Sequence, residues 1–400
     1  MKLMLCWVVN RFIDTVGGTE RVVCGMANEF ARRGWSVLLV FNDPKQGVPF
    51  YPLRPEVELI NLNGTGRDLV TIPKWVKVGR ELTRPFCQWG LSYFFERIDR
   101  IRKNVILDKL NDTIAEAAPD LILPFFTEDL MVLTDSPAAK RIPIVQTLRN
   151  PPKIAIGPLY PAKRRALEQC ARVHVLLESF RSGVQKQCDV PIVVIPNGVT
   201  QYTEQISYNK KDAYRILNLA RLEPRQKQQH ILIDAFALLA DEFPSWTLHF
   251  YGAATSDRYR LKLERQIRRH GLSDRIFLEG VTHKVNETLL TGDIFGFPSS
   301  REGISNALLE AMCAGLPSVG FRAAPSVNEL IRDGENGLLA EPGAKSLAAA
   351  LRRLMSDAPL RRRLGENARR FASQFEPEKV WDQWENLLKE VIAEKKKKNA

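Results

Sequence analysis

Cysteine is sparse: six residues at positions 6, 24, 87, 170, 188 and 313, with no CxxC pair among them. That excludes a disulfide framework. The five histidines stand at 174, 230, 249, 270 and 283, and no Cys/His cluster has zinc spacing. The expectation is reduced thiols in a cytosolic protein. No run reaches the roughly 18 apolar residues of a membrane span. The start, "MKLMLCWVV", is too short and lacks the cleavage pattern of a signal peptide, so it reads as a first buried strand. Internal repeats of 20–50 residues are also absent.

What is present is an ordinary globular composition, 44% hydrophobic and 26% charged over 400 residues. Length predicts two or three domains. The formal charge of +12 favours an anionic partner: nucleic acid, a membrane surface or a phosphorylated small molecule.

Short Val/Ile/Leu-rich runs alternate with longer amphipathic ones. "LMLCWVV", "SVLLVF", "LILPFF", "PIVQT", "RVHVLL" and "IVVIP" read as strands of the first half. "RILNLA", "TLHFYG", "IFLEG", "IFGFPS" and "LPSVGF" read as strands of the second. Apolar runs without strict alternation fit parallel strands covered on both faces, and strand–helix alternation gives doubly wound α/β sheets. The boundaries are expected as follows: a Rossmann-like domain over 1–196, a linker over 197–212 after Pro196-Asn197-Gly198, a second Rossmann-like domain over 213–375, and a helix with a basic tail over 376–400. Ligands in such sheets bind at the carboxyl ends of the strands.

Two segments stand apart. Residues 72–112 mix Trp75, Phe86, Trp89, Tyr93, Phe94 and Phe95 with many cations; a surface helix on anionic lipid and an ordinary covering helix pair both fit. The tail "EKKKKNA" reads as a disordered solvated end or an electrostatic membrane tether.

The stretch "SSREGISNALLEAMCAGLP", residues 299–317, carries the most chemistry. A strand ends, Gly303 turns the chain, and Ser305 is placed to cap a helix. Ile304, Leu308, Ala311 and Met312 form its buried stripe, and Gly315 with Pro317 ends it. The free amides of about 303–306 would form an anion site, reinforced by the helix dipole. A diphosphate fits there. Glu310 is then placed to accept bonds from vicinal hydroxyls, and Glu302 stands at the turn. On spacing alone, charge on an exposed face fits equally.

These residues resemble the E-x7-E signature of glycosyltransferase family 4, retaining enzymes of GT-B architecture with two Rossmann-like domains facing across a cleft. "LARLEPRQKQQHILIDAFALL", "IPNGV", "VNELIRDGENGLLAEPG" and "GGTERVV" are similar to other segments of that family. The resemblance implies transfer of a sugar from a nucleoside diphosphate, most commonly UDP, to a glycan or lipid-linked acceptor of cell-surface polysaccharide. It places Arg221 and Lys227 on the diphosphate and Glu302 beside the reacting sugar carbon. Gly303, Ile304, Ser305 and Asn306 would hold sugar and phosphate, Val281, Thr282 and His283 the base, and Gly17 and Gly18 a close backbone approach. No Asp-x-Asp occurs, so fixed cations would replace a metal; neither metal nor cofactor is expected.

The chain departs from the family at one point. Many members carry an N-terminal-domain histidine near the acceptor, whereas here none precedes residue 150 and the stretch reads "ILPFFTEDL". Either Glu128 or Asp129 contacts the acceptor, or the phosphate is the sole base. Arg149 and Asn150 in "TLRNPP" are further acceptor-side candidates, while His174 reads as a core residue. The expected location is cytoplasmic, with attachment to the inner membrane face left open. Alternative functions are a nucleotide-sugar 2-epimerase of similar fold and a basic nucleic-acid-binding protein; against the latter, no nucleic-acid motif appears.

Overall fold

The computed structural model describes residues 1–15, 17–63, 78–79, 82, 106–156 and 161–399. The aromatic residues singled out between 72 and 112 lie outside them. The chain divides into two units, Met1–Pro196 with Trp381–Ala400, and Asn197–Val380.

In the first unit, β1 (Lys2–Trp7), β2 (Ser36–Phe41), β3 (Val57–Asn61) and β4 (Leu121–Pro124) form a parallel sheet in the order β3-β2-β1-β4. Strands β5 (Val145–Leu148), β6 (Arg172–Val175) and β7 (Ile192–Val194) extend it in parallel, joined through an Ile122–Ile144 bridge. Leu3 to Trp7 are all fully buried, which is why β1 reads as a continuous apolar run. The helix Gly18–Arg32 covers the sheet with Val23, Met26, Ala27 and Phe30, an i, i+3, i+4, i+7 stripe.

The second unit is a six-stranded parallel sheet: β8 (Tyr214–Leu219), β9 (Trp246–Tyr251), β10 (Ile276–Gly280), β11 (Ile294–Phe297), β12 (Ser318–Phe321) and β13 (Gly337–Ala340). Their order is β10-β9-β8-β11-β12-β13. In each unit the connections leave the first strand in opposite directions, between β1 and β4 and between β8 and β11. Loops therefore diverge at the carboxyl ends there and open a crevice.

Three expectations change. Strands β3 and β13 were not anticipated: β3 is half exposed and carries Glu58, and β13 has only four residues after a Gly-rich turn. The stretch 197–212 is no free linker. Val199 N–H donates to Phe375 O (2.8 Å), Ile206 N–H to Ala314 O (3.0 Å) and Tyr208 Oη to Gly315 O (2.6 Å), so it packs into the second unit. The tail lysines continue the helix Pro377–Asn399 instead of forming a disordered end. From Trp381 this helix belongs to the first unit, held by Arg33 on Asp382 and Glu385 and by Arg172 on Glu390 and Glu394.

Candidate active site

The loops after β8 and β11 meet at the second unit's switch point. The first is knitted by its own side chains. Glu223 accepts backbone N–H bonds from Arg225 (3.0 Å), Gln226 (2.5 Å) and Lys227 (3.4 Å). Against the upward push of burial, these donors hold its carboxyl below the ordinary range. Buried Gln229 donates to Arg221 O (2.9 Å) and accepts from Glu223 N–H (3.2 Å). The loop is latched to its neighbour: Ser300 N–H donates to Gln226 O (2.8 Å), and Gln226 Nε2 to Arg301 O (3.1 Å).

This frame brings together two residues 75 positions apart. Lys227 Nζ lies 2.5 Å from Glu302 Oε1, and Gln226 Nε2 donates to Glu302 Oε2 (3.3 Å). Glu302 is 7% exposed. The ammonium has three donors and the carboxylate about four lone-pair sites, so each retains capacity for a ligand. Sequence reasoning assigned the two residues to different parts of a donor and missed their pairing; it also missed Glu223, Gln226 and Gln229.

The helix after β11 runs Asn306–Cys313. Ser305 caps it, its hydroxyl accepting from Leu308 N–H (3.2 Å). The first-turn amides of Asn306 and Ala307 have no intrahelical acceptor, as at any helix start. Asn306 Oδ1 accepts from Asn197 Nδ2 (2.7 Å), which fixes that side chain. Ile304 and Glu310 are buried and Gly303 is half-buried. Gly315, at φ +84, ends the helix, with Gly315 N–H on Met312 O and Leu316 N–H on Ala311 O.

Other candidates are less gathered. Arg221 stands exposed at the end of β8 and does not join the Lys227–Glu302 pair. Val281, Thr282 and His283 follow β10, two strands outward from β8; Val281 is 58% exposed and Thr282 Oγ1 lies 2.8 Å from Thr288 Oγ1. Gly17 precedes the first unit's helix Gly18–Arg32, with the Glu20 carboxylate folded over it, and Gly18 borders open space.

At the carboxyl ends of β4 and β5, Glu128, Arg149 and Asn150 line one cavity of about 180 Å³, together with Lys163, which sequence reasoning missed. Lys163 Nζ lies 2.6 Å from Glu128 Oε1. Burial pushes the Glu128 carboxyl up, but the Lys163 charge and hydrogen bond outweigh it and hold it low. Asp129 is not in this cavity, contrary to expectation. It is fully buried and accepts from Val8 N–H (3.0 Å), Val9 N–H (2.9 Å) and Phe126 N–H (3.2 Å). Its work is to tie the loop after β1 to the helix Thr127–Asp135. His174 is a core residue: Nε2 meets Ile195 O at 2.7 Å, and the ring packs on Trp384.

The comparisons with known proteins agree in kind. Residues 199–371 match the model "Glycosyl transferases group 1" and residues 16–201 match "Glycosyltransferase Family 4". An exopolysaccharide phosphotransferase of Streptomyces coelicolor is 28% identical over 392 residues, covering 95% of this chain and 40% of that protein. The chain thus spans about two fifths of that relative's length. A sucrose-phosphate synthase of Thermosynechococcus elongatus has a similar structure (TM-score 0.74, 16% identity, 98% of this chain and 99% of that one). So does Anabaena HepE, solved with UDP and glucose (TM-score 0.70, 21% identity, 98% and 100%). The shared architecture is GT-B.

Proposed function

Because the chain belongs to the group 1, family 4 glycosyltransferases, we propose that it moves a sugar from a nucleoside-diphosphate sugar, a UDP-sugar first, onto a glycan or lipid-linked glycan of cell-surface polysaccharide. The observation that carries this reading is the buried Lys227–Glu302 pair beside the amino end of the helix Asn306–Cys313. The sugar and nucleotide named with HepE, and the exopolysaccharide named with the Streptomyces relative, support donor and acceptor class.

Transfer develops negative charge on the leaving diphosphate and positive charge on the anomeric carbon. In the proposed mechanism, Lys227 turns its remaining donors to the diphosphate while Glu302 holds its position. Arg221 and the helix amides complete the anion clamp, whose parts are fixed before substrate arrives. Glu310 accepts bonds from the nucleotide's ribose. Glu302 accepts from donor-sugar hydroxyls. Attack comes from the face the diphosphate leaves, with a phosphate oxygen taking the acceptor's proton, so configuration is retained. No metal is required. Val281–His283 would flank the base.

No helix among the described residues is long and apolar enough to cross a membrane; the proposed location is cytoplasmic, at the inner membrane face when the acceptor is lipid-linked. The test is a panel of nucleotide sugars, with and without chelator, the product's anomeric configuration read by NMR. Transfer with retention in chelator is expected. An inverted product, or loss of transfer on chelation, would overturn the mechanism.

A further inference from the structure

The loop between β8 and the helix Gln229–Ala237 carries both cations of the proposed clamp, Arg221 and Lys227. Four successive amides in it converge on one residue. The N–H of Arg225 donates to Glu223 Oε1 (3.0 Å), those of Gln226 (2.5 Å) and Lys227 (3.4 Å) to Oε2, and that of Gln228 to Glu223 O (3.0 Å). Consecutive loop amides turned inward form an anion-binding concavity. Here the protein's own carboxylate fills it, so the loop offers a ligand its side chains instead of its backbone. A second residue braces the other end. Gln229 is fully buried; its Nε2 donates to Arg221 O (2.9 Å) and its Oε1 accepts from Glu223 N–H (3.2 Å). Buried Tyr259, from the helix Asp257–Arg269, donates Oη to the same oxygen at 3.5 Å. Between the two braces Gln228 sits at φ +50, a left-handed conformation uncommon outside glycine, and the surrounding bonds hold it there.

We propose that Glu223 and Gln229 are positioning residues. Glu223 fixes the Lys227 end of the loop and Gln229 the Arg221 end, so the two cations meet a diphosphate at a preset separation. The assignment rests on the reading of this loop as the donor-phosphate site. The sign of the effect separates positioning from charge. Glu223 is an acid within electrostatic reach of Arg221, and by Coulomb attraction alone its removal should tighten a bound anion. Positioning demands the reverse: without the carboxylate the loop must be ordered at the moment of binding, and phosphate affinity falls.

The test is binding of UDP and of uridine by ligand-observed NMR. Glu223→Ala should weaken UDP about tenfold, what a hydrogen bond to a charged group is worth, and leave uridine within about twofold. Glu223→Gln keeps one acceptor oxygen and should fall between wild type and Glu223→Ala. Gln229→Met, matched in volume, should show the same split between UDP and uridine. Glu223 is half-buried, so its variants carry the test if Gln229→Met does not fold. UDP binding that is unchanged or tighter in Glu223→Ala overturns the inference, and so does a parallel loss of UDP and uridine, which marks structural damage. Wild-type binding with unaffected variants sinks the positioning role alone. No UDP binding by wild type sinks the donor-site reading, and the positioning role with it.

Discussion

Removing Lys227 alone should cost more stability than removing it together with the charge on Glu302. The two side chains are 14% and 8% exposed and 2.5 Å apart. At an effective dielectric of about 20 the gross attraction is about 7 kcal/mol. Desolvation of both ends offsets much of it, so the pair as a whole is close to neutral against an uncharged replacement. Breaking it from one side is different. Lys227→Met leaves a buried carboxylate with the single Gln226 contact at 3.3 Å, and a loss of about 3 kcal/mol follows. Lys227→Met with Glu302→Gln should recover about 2 kcal/mol of that, read as a coupling energy. The assay is urea unfolding of the wild type, both single variants and the double variant. A coupling below about 0.5 kcal/mol would mean the pair is solvated, and the preorganised cation would lose its structural basis.

Three further outcomes follow from other parts of the fold. A Cβ at Gly252 would sit 2.1 Å from Ala220 O and 2.6 Å from its carbonyl carbon, so Gly252→Ala should cost about 3 kcal/mol and displace Arg221; an unchanged melting temperature would contradict this. Ser326 is buried at φ +70 with an unpartnered hydroxyl, so Ser326→Gly should raise stability by about 1 kcal/mol in urea unfolding; a loss of that size would show that the hydroxyl or the β-carbon is needed. Burial, with the Arg149 charge adding, pushes His174 down from 6.5 to about 3. The unfolded chain therefore takes up the proton first, and stability present above about pH 6.5 is lost as pH falls toward 3. Between pH 6.5 and 5 that amounts to about 2 kcal/mol, and His174→Gln should flatten this limb; an identical acid limb in the variant would refute it.

The strands flanking both switch points were legible because they are buried on both faces, so their apolar runs are continuous: "LMLCWVV", "RILNLA" and "IFGFPS" each became a central strand. Strand β3 was hidden by its half-exposed edge position, and β13 by its brevity. Ser305 could be read as a helix cap from residue type alone, since its bond to Leu308 N–H is local. The Lys227–Glu302 pair could not, because parallel crossovers bring together residues 75 positions apart. Lys163 escaped notice for the same reason, lying 35 residues from Glu128. Asp129 was misassigned because an acid after a strand looks the same whether it faces a ligand or backbone amides. Here Val8, Val9 and Phe126 claim it.

The central claim is that a diphosphate rests on the amino end of the helix Asn306–Cys313, neutralised by Lys227 and Arg221 without a metal. Calorimetry of UDP binding in excess chelator tests it most directly, comparing wild type with Lys227→Met/Glu302→Gln, the variant that keeps the buried site uncharged. The predicted result is measurable binding in wild type and a dissociation constant about 10- to 100-fold weaker in the variant, about 1.4 to 2.8 kcal/mol. Equal affinity in the two proteins, or no wild-type binding until a divalent ion is restored, would contradict it.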